Sequence, residues 1–318
     1  MNKLNICYTV DQYNPPHIEM MGISIVSLIK NKNSYTQLNI FIIHNGISKL
    51  YQQKIQSMVT KDCTITFQDI SNQFIDLPNK FNYYPQAVIF RLLIPTIFPQ
   101  LERMIYIDCD TLIKKDLTEL YNLQLHDNYI GALKYPLEAP SCMTPTYVKY
   151  LGKNYHNSTY YTKILNLPLE YFEKGNYTYA NGGVLLFNIK KINEDHLDVV
   201  LIENIKKYQE SLILPDEEIS LKTFGVKIQN IHKKYNSIMH NIKKDDYKNA
   251  VIAHHAGSHK PIEYKNWYRL SYFGDYVKYM QSSPFARNKY FVTIWYLTSK
   301  IRWYIVFMEY FIKSKLKK

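Results

Sequence analysis

The chain has 318 residues, 46% of them hydrophobic and 21% charged, an ordinary globular composition that excludes a disordered chain and a membrane-spanning one. Lysine and arginine exceed aspartate and glutamate by 12, which favours anionic partners (phosphates, acidic lipid head groups or nucleic acid) without choosing among them. Cys7, Cys63, Cys109 and Cys142 show neither zinc-type nor redox-type spacing, so a reduced, cytoplasmic setting is expected.

The apolar run 4–10 is too short for a secretory hydrophobic region, meets Asp11, and reads as a first strand. In 17–31, Ile18, Met21, Ile25, Leu28 and Ile29 fall on one helical face. The strand 38–43, a helix over 49–61, the strand 64–70, a helix over 85–94 and the strand 103–108 follow. This alternation predicts an α/β fold with a mostly parallel, nucleotide-binding type of sheet flanked by helices, and a ligand beyond the carboxyl ends of the strands. Asp11 ends the first strand, and Asp108 and Asp110 end the one at 103–108.

Further strands are expected at 129–135, at 181–191 after a glycine pair, at 226–231 and at 250–257. The stretch from Pro136 to Tyr179 reads as a long loop on the acceptor side of a site. One catalytic domain is expected over 1–270, with 271–318 as a basic, aromatic, helical tail. That tail carries Arg287, Lys289, Lys300, Arg302, Lys313, Lys315, Lys317 and Lys318 against the single acid Glu309. Lys300 and Arg302 interrupt any span of roughly 20 apolar residues, which leaves an interfacial helix on an anionic membrane or a helix packed on the domain or in a dimer.

In an extended segment, residues two apart point the same way, so Asp108 and Asp110 face one spot while Cys109 points into the sheet. Two hard oxygen donors at a strand mouth suit Mg2+ or Mn2+ completed by substrate phosphates, although such a triplet also occurs as a solvated turn. His254 and His255 are adjacent at a strand end, so one of them is placed to reach the same ion. Gly257 allows close backbone approach, and Lys260 offers charge to a phosphate.

The ordered set "YTVD", "FRLLIP", "YIDCDTLIKKDLTELY", "NGGVLLFN", "LPDEEIS", "KYN" and "HHAGSHKP", followed by Trp267, resembles glycosyltransferase family 8 over about residues 4–267. That family contains retaining galactosyl- and glucosyltransferases of the lipopolysaccharide outer core, and glycogenin. The resemblance implies a GT-A type fold and transfer of glucose or galactose from UDP-glucose or UDP-galactose to a saccharide or lipid-linked glycan acceptor. It implies Mn2+, with Mg2+ as the alternative, held by Asp108, Asp110 and His254. Donor-binding positions carried over are Thr9, Asp11, Asp108, Cys109, Asn181, Gly182, Gly257 and Lys260. Arg91, Asp216 and Glu217 are the implied catalytic positions.

Two residues depart from the family pattern. Tyr13 stands where a small polar residue is usual, and Glu217 where a glutamine is usual. Glu217 is left as a nucleophile, an electrostatic stabiliser or an acid favoured by a helix N-terminus, as Asp11 is left between nucleotide binding and helix capping. Competing readings are a nucleotidyltransferase, which lacks a Walker-type loop here, and a non-enzymatic anionic-surface or nucleic-acid binder. The basic excess is partly concentrated in the tail, so a peripheral position at the inner face of the plasma membrane is expected, with no nucleic-acid partner.

Overall fold

The computed structural model describes residues 2–74, 77, 80–81, 84–136, 147–150, 153–156, 160–168, 178–239, 242–257, 260–262 and 273–288, with positions 292, 294, 297, 298, 301, 304, 305 and 308 beyond them. Strand β1 (Asn2–Val10) pairs in parallel with β2 (Thr36–His44), which pairs in parallel with β3 (Cys63–Asp69). Between them run α1 (Pro15–Asn31), opened by two prolines whose missing N–H groups cost nothing in a first turn, and α2 (Lys49–Gln56). Helix α2 stops short of the expected residue 61 because Thr60 and Cys63 bond across a turn that delivers the chain into β3.

The helix expected over 85–94 is broken into α3 (Ala87–Phe90), a tighter 3-10 turn (Arg91–Leu93) and α4 (Ile94–Ile97). Pro95 has no N–H for the carbonyl of Arg91, so a regular helix cannot run through. Strand β4 (Arg103–Ile107) then enters the sheet beside β1, and the turn after it leads into β5 (Thr111–Ile113).

The sheet is completed by β6 (Ile130–Pro136), β7 (Thr178–Asn188) and β8 (Ile228–Asn230), in the order β8-β6-β7-β4-β1-β2-β3. Pairings outside β7 are parallel, whereas β7 runs antiparallel to both β4 and β6. The glycine pair lies inside β7 rather than before it. Its register against β6 jumps from Asn181 opposite Leu133 to Leu185 opposite Ala132, and the residues between form a bulge.

Neighbouring residues along each strand go to opposite layers. Ile6, Tyr8, Ile105 and Leu186 join the core under α1, while Cys7, Met104, Tyr106 and Phe187 join the core under α3, α4, α5 (Leu197–Tyr208) and α6 (Pro215–Phe224). A small sheet of β9 (Ser237–Ile238), β10 (Ile252–His254) and β5 stands at the carboxyl edge of this sandwich.

Helix α1 is buried on nearly all sides, not on one face as its spacing predicts, because α7 (Phe273–Gln281) and the residues after it cover its outer surface. Asn31 donates to the Tyr279 hydroxyl at 2.7 Å, Arg287 pairs with Glu19 at 2.6 Å, and Phe285 packs on Gly22. Tyr276, Met280, Phe285 and Val292 belong to the core under α1, so the segment expected to open a separate tail at 271 packs on the domain up to 288 and again at Val292. The expected acceptor loop contains an antiparallel strand pair (Tyr147–Tyr150 with Lys153–His156) and a π-helical turn (Tyr160–Ile164), while 137–146, 151–152, 157–159 and 169–177 lie outside the described residues.

Candidate active site

Asp108 and Asp110 converge, but by a turn and not along an extended strand. The Asp108 N–H donates to Gly183 O at 2.8 Å, continuing the β4–β7 ladder by one residue. The Thr111 hydroxyl donates back to Asp108 O at 2.9 Å, and Asp110 O accepts from His255 N at 2.9 Å, which ties the turn to the end of β10. Cys109 lies between them with its thiol on Thr9 O at 3.3 Å, and burial pushes that thiol well above its ordinary pKa.

Asp108, Asp110 and His254 bring one donor atom each within 4.8 Å of one another. His254 Nε2 stands 3.3 Å from Asp110 Oδ1 and 3.6 Å from Asp108 Oδ2. The other carboxylate oxygens are committed elsewhere. Asp108 Oδ1 accepts from the Tyr106 hydroxyl at 2.5 Å and from Arg91 Nη2 at 2.9 Å, and Asp110 Oδ2 is ion-paired with Lys260. This donor set fits a hard divalent cation: two carboxylate oxygens and one imidazole nitrogen converge, and each carboxylate is oriented from behind by a cation. Burial raises the Asp110 carboxyl, but Lys260 and His254 more than reverse this and hold it well below the ordinary range.

Lys260 therefore stands against Asp110, with a second contact to His255 O at 3.4 Å, and not free for a phosphate alone. Burial lowers its pKa, and the Asp110 carboxylate raises it by more, so the ammonium stays charged. His255 turns away from the triad, its ring edge-on to Tyr276 at 6.0 Å, and burial brings it down to about 4. Gly257 adopts φ 93°, and a Cβ there would meet nothing within 4 Å, so the glycine serves the backbone turn and leaves open space beside it.

A second cluster adjoins the first through Arg91. Its Nη1 pairs with Asp216 Oδ2 at 3.0 Å and donates to Gly182 O at 2.7 Å, its Nη2 holds Asp108, and its plane lies 4.5 Å from the Tyr106 ring. Burial disfavours the guanidinium charge, yet Asp108 leads a set of anionic neighbours that together raise its pKa. Burial raises Asp216, and Arg91 opposes that. Burial followed by the Asp216 charge pushes Glu217 well above the ordinary carboxylate range. Glu217 Oε1 accepts from Gly182 N at 3.2 Å and from Asn181 Nδ2 at 3.3 Å.

The three acids that open α6 thus divide their work. Glu218 accepts from Ile213 N at 2.9 Å and ties the chain before the helix to its first turn, while Asp216 and Glu217 face the bulge of β7. The bulge glycines make room for both clusters. A Cβ on Gly182 would come 2.1 Å from Asp216 Oδ2, and one on Gly183 would come 2.1 Å from His254 Cε1. Gly183 is therefore more than a turn residue.

Nearer the amino end, the Thr9 hydroxyl lies 3.2 Å from the Tyr106 hydroxyl and 3.3 Å from Ala87 O. Asp11 is buried and accepts from Tyr13 N at 2.9 Å, closing the turn before α1, whose capping position is Asn14. Tyr13 is exposed. Two residues with no role assigned from sequence join the site: Tyr106, two positions before Asp108 on the same strand face, and Asn236, whose amide oxygen lies 2.8 Å from His254 Nδ1. The i, i+2 spacing is a signal for the first. The second lies in the bend before β9; the motif "KYN" contains it, but no local spacing gives it a role.

The fold, with its carboxylate pair at the mouth of β4, is that of a GT-A glycosyltransferase. The chain belongs to glycosyltransferase family 8, whose model matches residues 5–266. It is 24% identical to a putative glycosyltransferase of Haemophilus influenzae, over 81% of this chain and 72% of that protein. It is 26% identical to a lipopolysaccharide 1,2-glucosyltransferase of Escherichia coli, over 86% of this chain and 75% of that protein. Among solved structures, the galactosyltransferase LgtC in complex with donor and acceptor sugar analogues superposes with a TM-score of 0.66 at 16% identity, covering 88% of this chain and 96% of that one. Family membership sets aside the nucleotidyltransferase and non-enzymatic readings.

Proposed function

We propose that the protein transfers a hexose, glucose or galactose, from a UDP-sugar to a saccharide or lipid-linked glycan acceptor of a surface glycan. The anomeric configuration is retained, as the family resemblance implies. The observation that carries this reading is the junction of two clusters at Arg91: the Asp108, Asp110 and His254 triad on one side and Asp216 with Glu217 on the other. Asp108, Asp110 and His254 would hold Mn2+ or Mg2+, which when bound supplies Lewis-acid stabilisation to a departing diphosphate.

The residues of the chain divide the remaining work. Lys260 adds positive charge on the triad side, where a diphosphate belongs. Asp216, with one oxygen on Arg91, has another oxygen for a donor-sugar hydroxyl. Glu217 lies beside it at the bulge, anchored by Gly182 N, so a carboxyl group is held at a fixed position next to the sugar. Thr9 and Asp11 line the approach to the triad from the end of β1, the side on which a nucleoside meets this type of sheet. The tail from 294 onward is assigned to an anionic membrane surface, supported by exposed Ile294, Leu297, Ile301, Ile305 and Met308 in a helical stripe and by the lysines and arginines of that sequence. Among the described residues no helix is long and apolar enough to cross a membrane.

The test is UDP release from UDP-glucose, UDP-galactose and UDP-N-acetylglucosamine, with Mn2+ or with EDTA, in wild type and Asp110→Asn. Wild type is expected to turn over one hexose donor only with the metal, and the variant to lose about 100-fold or more. Metal-independent release, or full activity in Asp110→Asn, would refute the reading.

A further inference from the structure

We propose that Asn236 is a positioning residue for His254: its amide sets which ring nitrogen faces Asp108 and Asp110, and it links that histidine through Asn181 to Glu217. The inference rests on the reading of Asp108, Asp110 and His254 as a cation site.

The assignment starts from a backbone amide, whose polarity is not open to choice. Gly183 N donates to Asn181 Oδ1 at 3.1 Å, so the other end of that side chain, Nδ2, is the atom facing Glu217 Oε1 at 3.3 Å. Asn181 Oδ1 also lies 2.7 Å from the Asn236 amide, and an oxygen accepts only from its nitrogen. Turning Asn236 over would set two carbonyl oxygens face to face. Its oxygen is therefore left for His254 Nδ1 at 2.8 Å, and that contact requires Nδ1 to carry the proton.

A neutral ring protonated there leaves the Nε2 lone pair for a cation held with it by Asp110 Oδ1 and Asp108 Oδ2. The opposite tautomer would aim an N–H at those carboxylates and close the nitrogen to a cation. Asn236 is fully buried, and the fold fixes its place. It follows the 3-10 turn Lys233–Tyr235, and the next two residues, Ser237 and Ile238, pair in parallel with Ala253 and His254. One amide thus joins the ligand side of the site to the acid on the donor-sugar side, with each donor matched to one acceptor along the way.

The experiment combines Mn2+ titration, read as free Mn2+ by electron paramagnetic resonance, with 15N-histidine NMR of the metal-free and Mg2+-bound full-length protein. The His254 signal is assigned by its loss in His254→Ala. Wild type is expected to show His254 protonated on Nδ1. Asn236→Ala is expected to raise the Mn2+ dissociation constant about 10- to 100-fold. Asn236→Asp still accepts from Nδ1 but cannot donate to Asn181, so it is expected to bind Mn2+ within a few-fold of wild type and to lose turnover instead. A merely structural role would not separate the two variants in this way.

A wild-type His254 that lacks a proton on Nδ1 overturns the proposal, as does a folded Asn236→Ala that binds Mn2+ like wild type. Should Asn236→Ala not fold, Asn236→Asp and the wild-type tautomer decide. If wild type binds no Mn2+ or Mg2+, the cation reading is what fails, and the presence or absence of a proton on Nδ1 in the metal-free protein still judges the orientation on its own.

Discussion

At the scale of single residues, Glu217 is the side chain whose chemistry departs most from its family's usual glutamine. Its carboxyl is held well above the ordinary range by burial and then by Asp216. Below about pH 4 both folded and unfolded chains keep that proton. As pH rises, the unfolded chain releases it first while the folded chain still holds it, so stability is lost until the folded group also ionises. Glu217→Gln retains an acceptor for Gly182 N and removes the titration. Its melting temperature is therefore expected to exceed that of wild type by a margin that grows as pH rises above the ordinary carboxylate range, until the folded group ionises. Melts across that range check this, and a constant or shrinking margin would contradict it. Asp108, Asp110, His254, Arg91 and Asp216 were legible in the sequence as candidates because acids at a strand end and an ordered motif set mark them. What the sequence did not reveal is pairing: Lys260 on Asp110, Tyr106 on Asp108 and Asn236 on His254 join strands and loops that only the folded chain brings together.

At the scale of elements, the bulge in β7 is the feature on which both halves of the site depend. An antiparallel strand between β4 and β6 would normally send side chains alternately up and down, with no room for two polar clusters at its edge. The register jump after Asn181 instead presents two glycines to α6 and β10. The two positions are predicted to separate by function. Gly183→Ala drives a methyl group into the His254 ring and is expected to weaken Mn2+ binding at least about tenfold. Gly182→Ala strikes Asp216 beside Arg91 and is expected to lower UDP release while leaving Mn2+ binding near wild type. Each overpacked variant loses about 1–3 kcal/mol of stability, so both assays belong below the melting transition. Equal effects of the two variants on metal affinity would refute the division. The strands β1 to β4 and helix α1 were readable because apolar runs and helical spacing mark them directly. The broken helix at Pro95 and the glycine pair inside β7 were misjudged because a local pattern does not report which carbonyl lacks a donor or which strand lies opposite.

At the scale of the whole molecule, the chain after 288 has a different character from the rest. Val292 is buried in the core under α1, but Ile294, Leu297, Ile301, Ile305 and Met308 are each more than half exposed. Their steps of three and four residues put them on one side of a helix, and positions 294, 297, 298, 301, 304, 305 and 308 are helical. Five large apolar side chains in one exposed line are more than scattered surface residues would give, which supports the proposal that a partner covers the stripe. The excess of lysine and arginine along the same sequence favours an anionic membrane surface over a second protein chain. Full-length protein is expected to sediment with vesicles containing phosphatidylglycerol and not with phosphatidylcholine alone, and to be released by salt as the electrostatic share is screened. Ile301→Asp removes one buried apolar side chain, worth about 1.5–3 kcal/mol, and should weaken vesicle binding about tenfold or more. UDP release in solution should be unchanged, since Ile301 is exposed and its side chain has no polar group to bond a site residue. If the wild type ignores vesicles and sediments as a dimer that Ile301→Asp converts to a monomer, the stripe is a contact between copies and the membrane assignment falls.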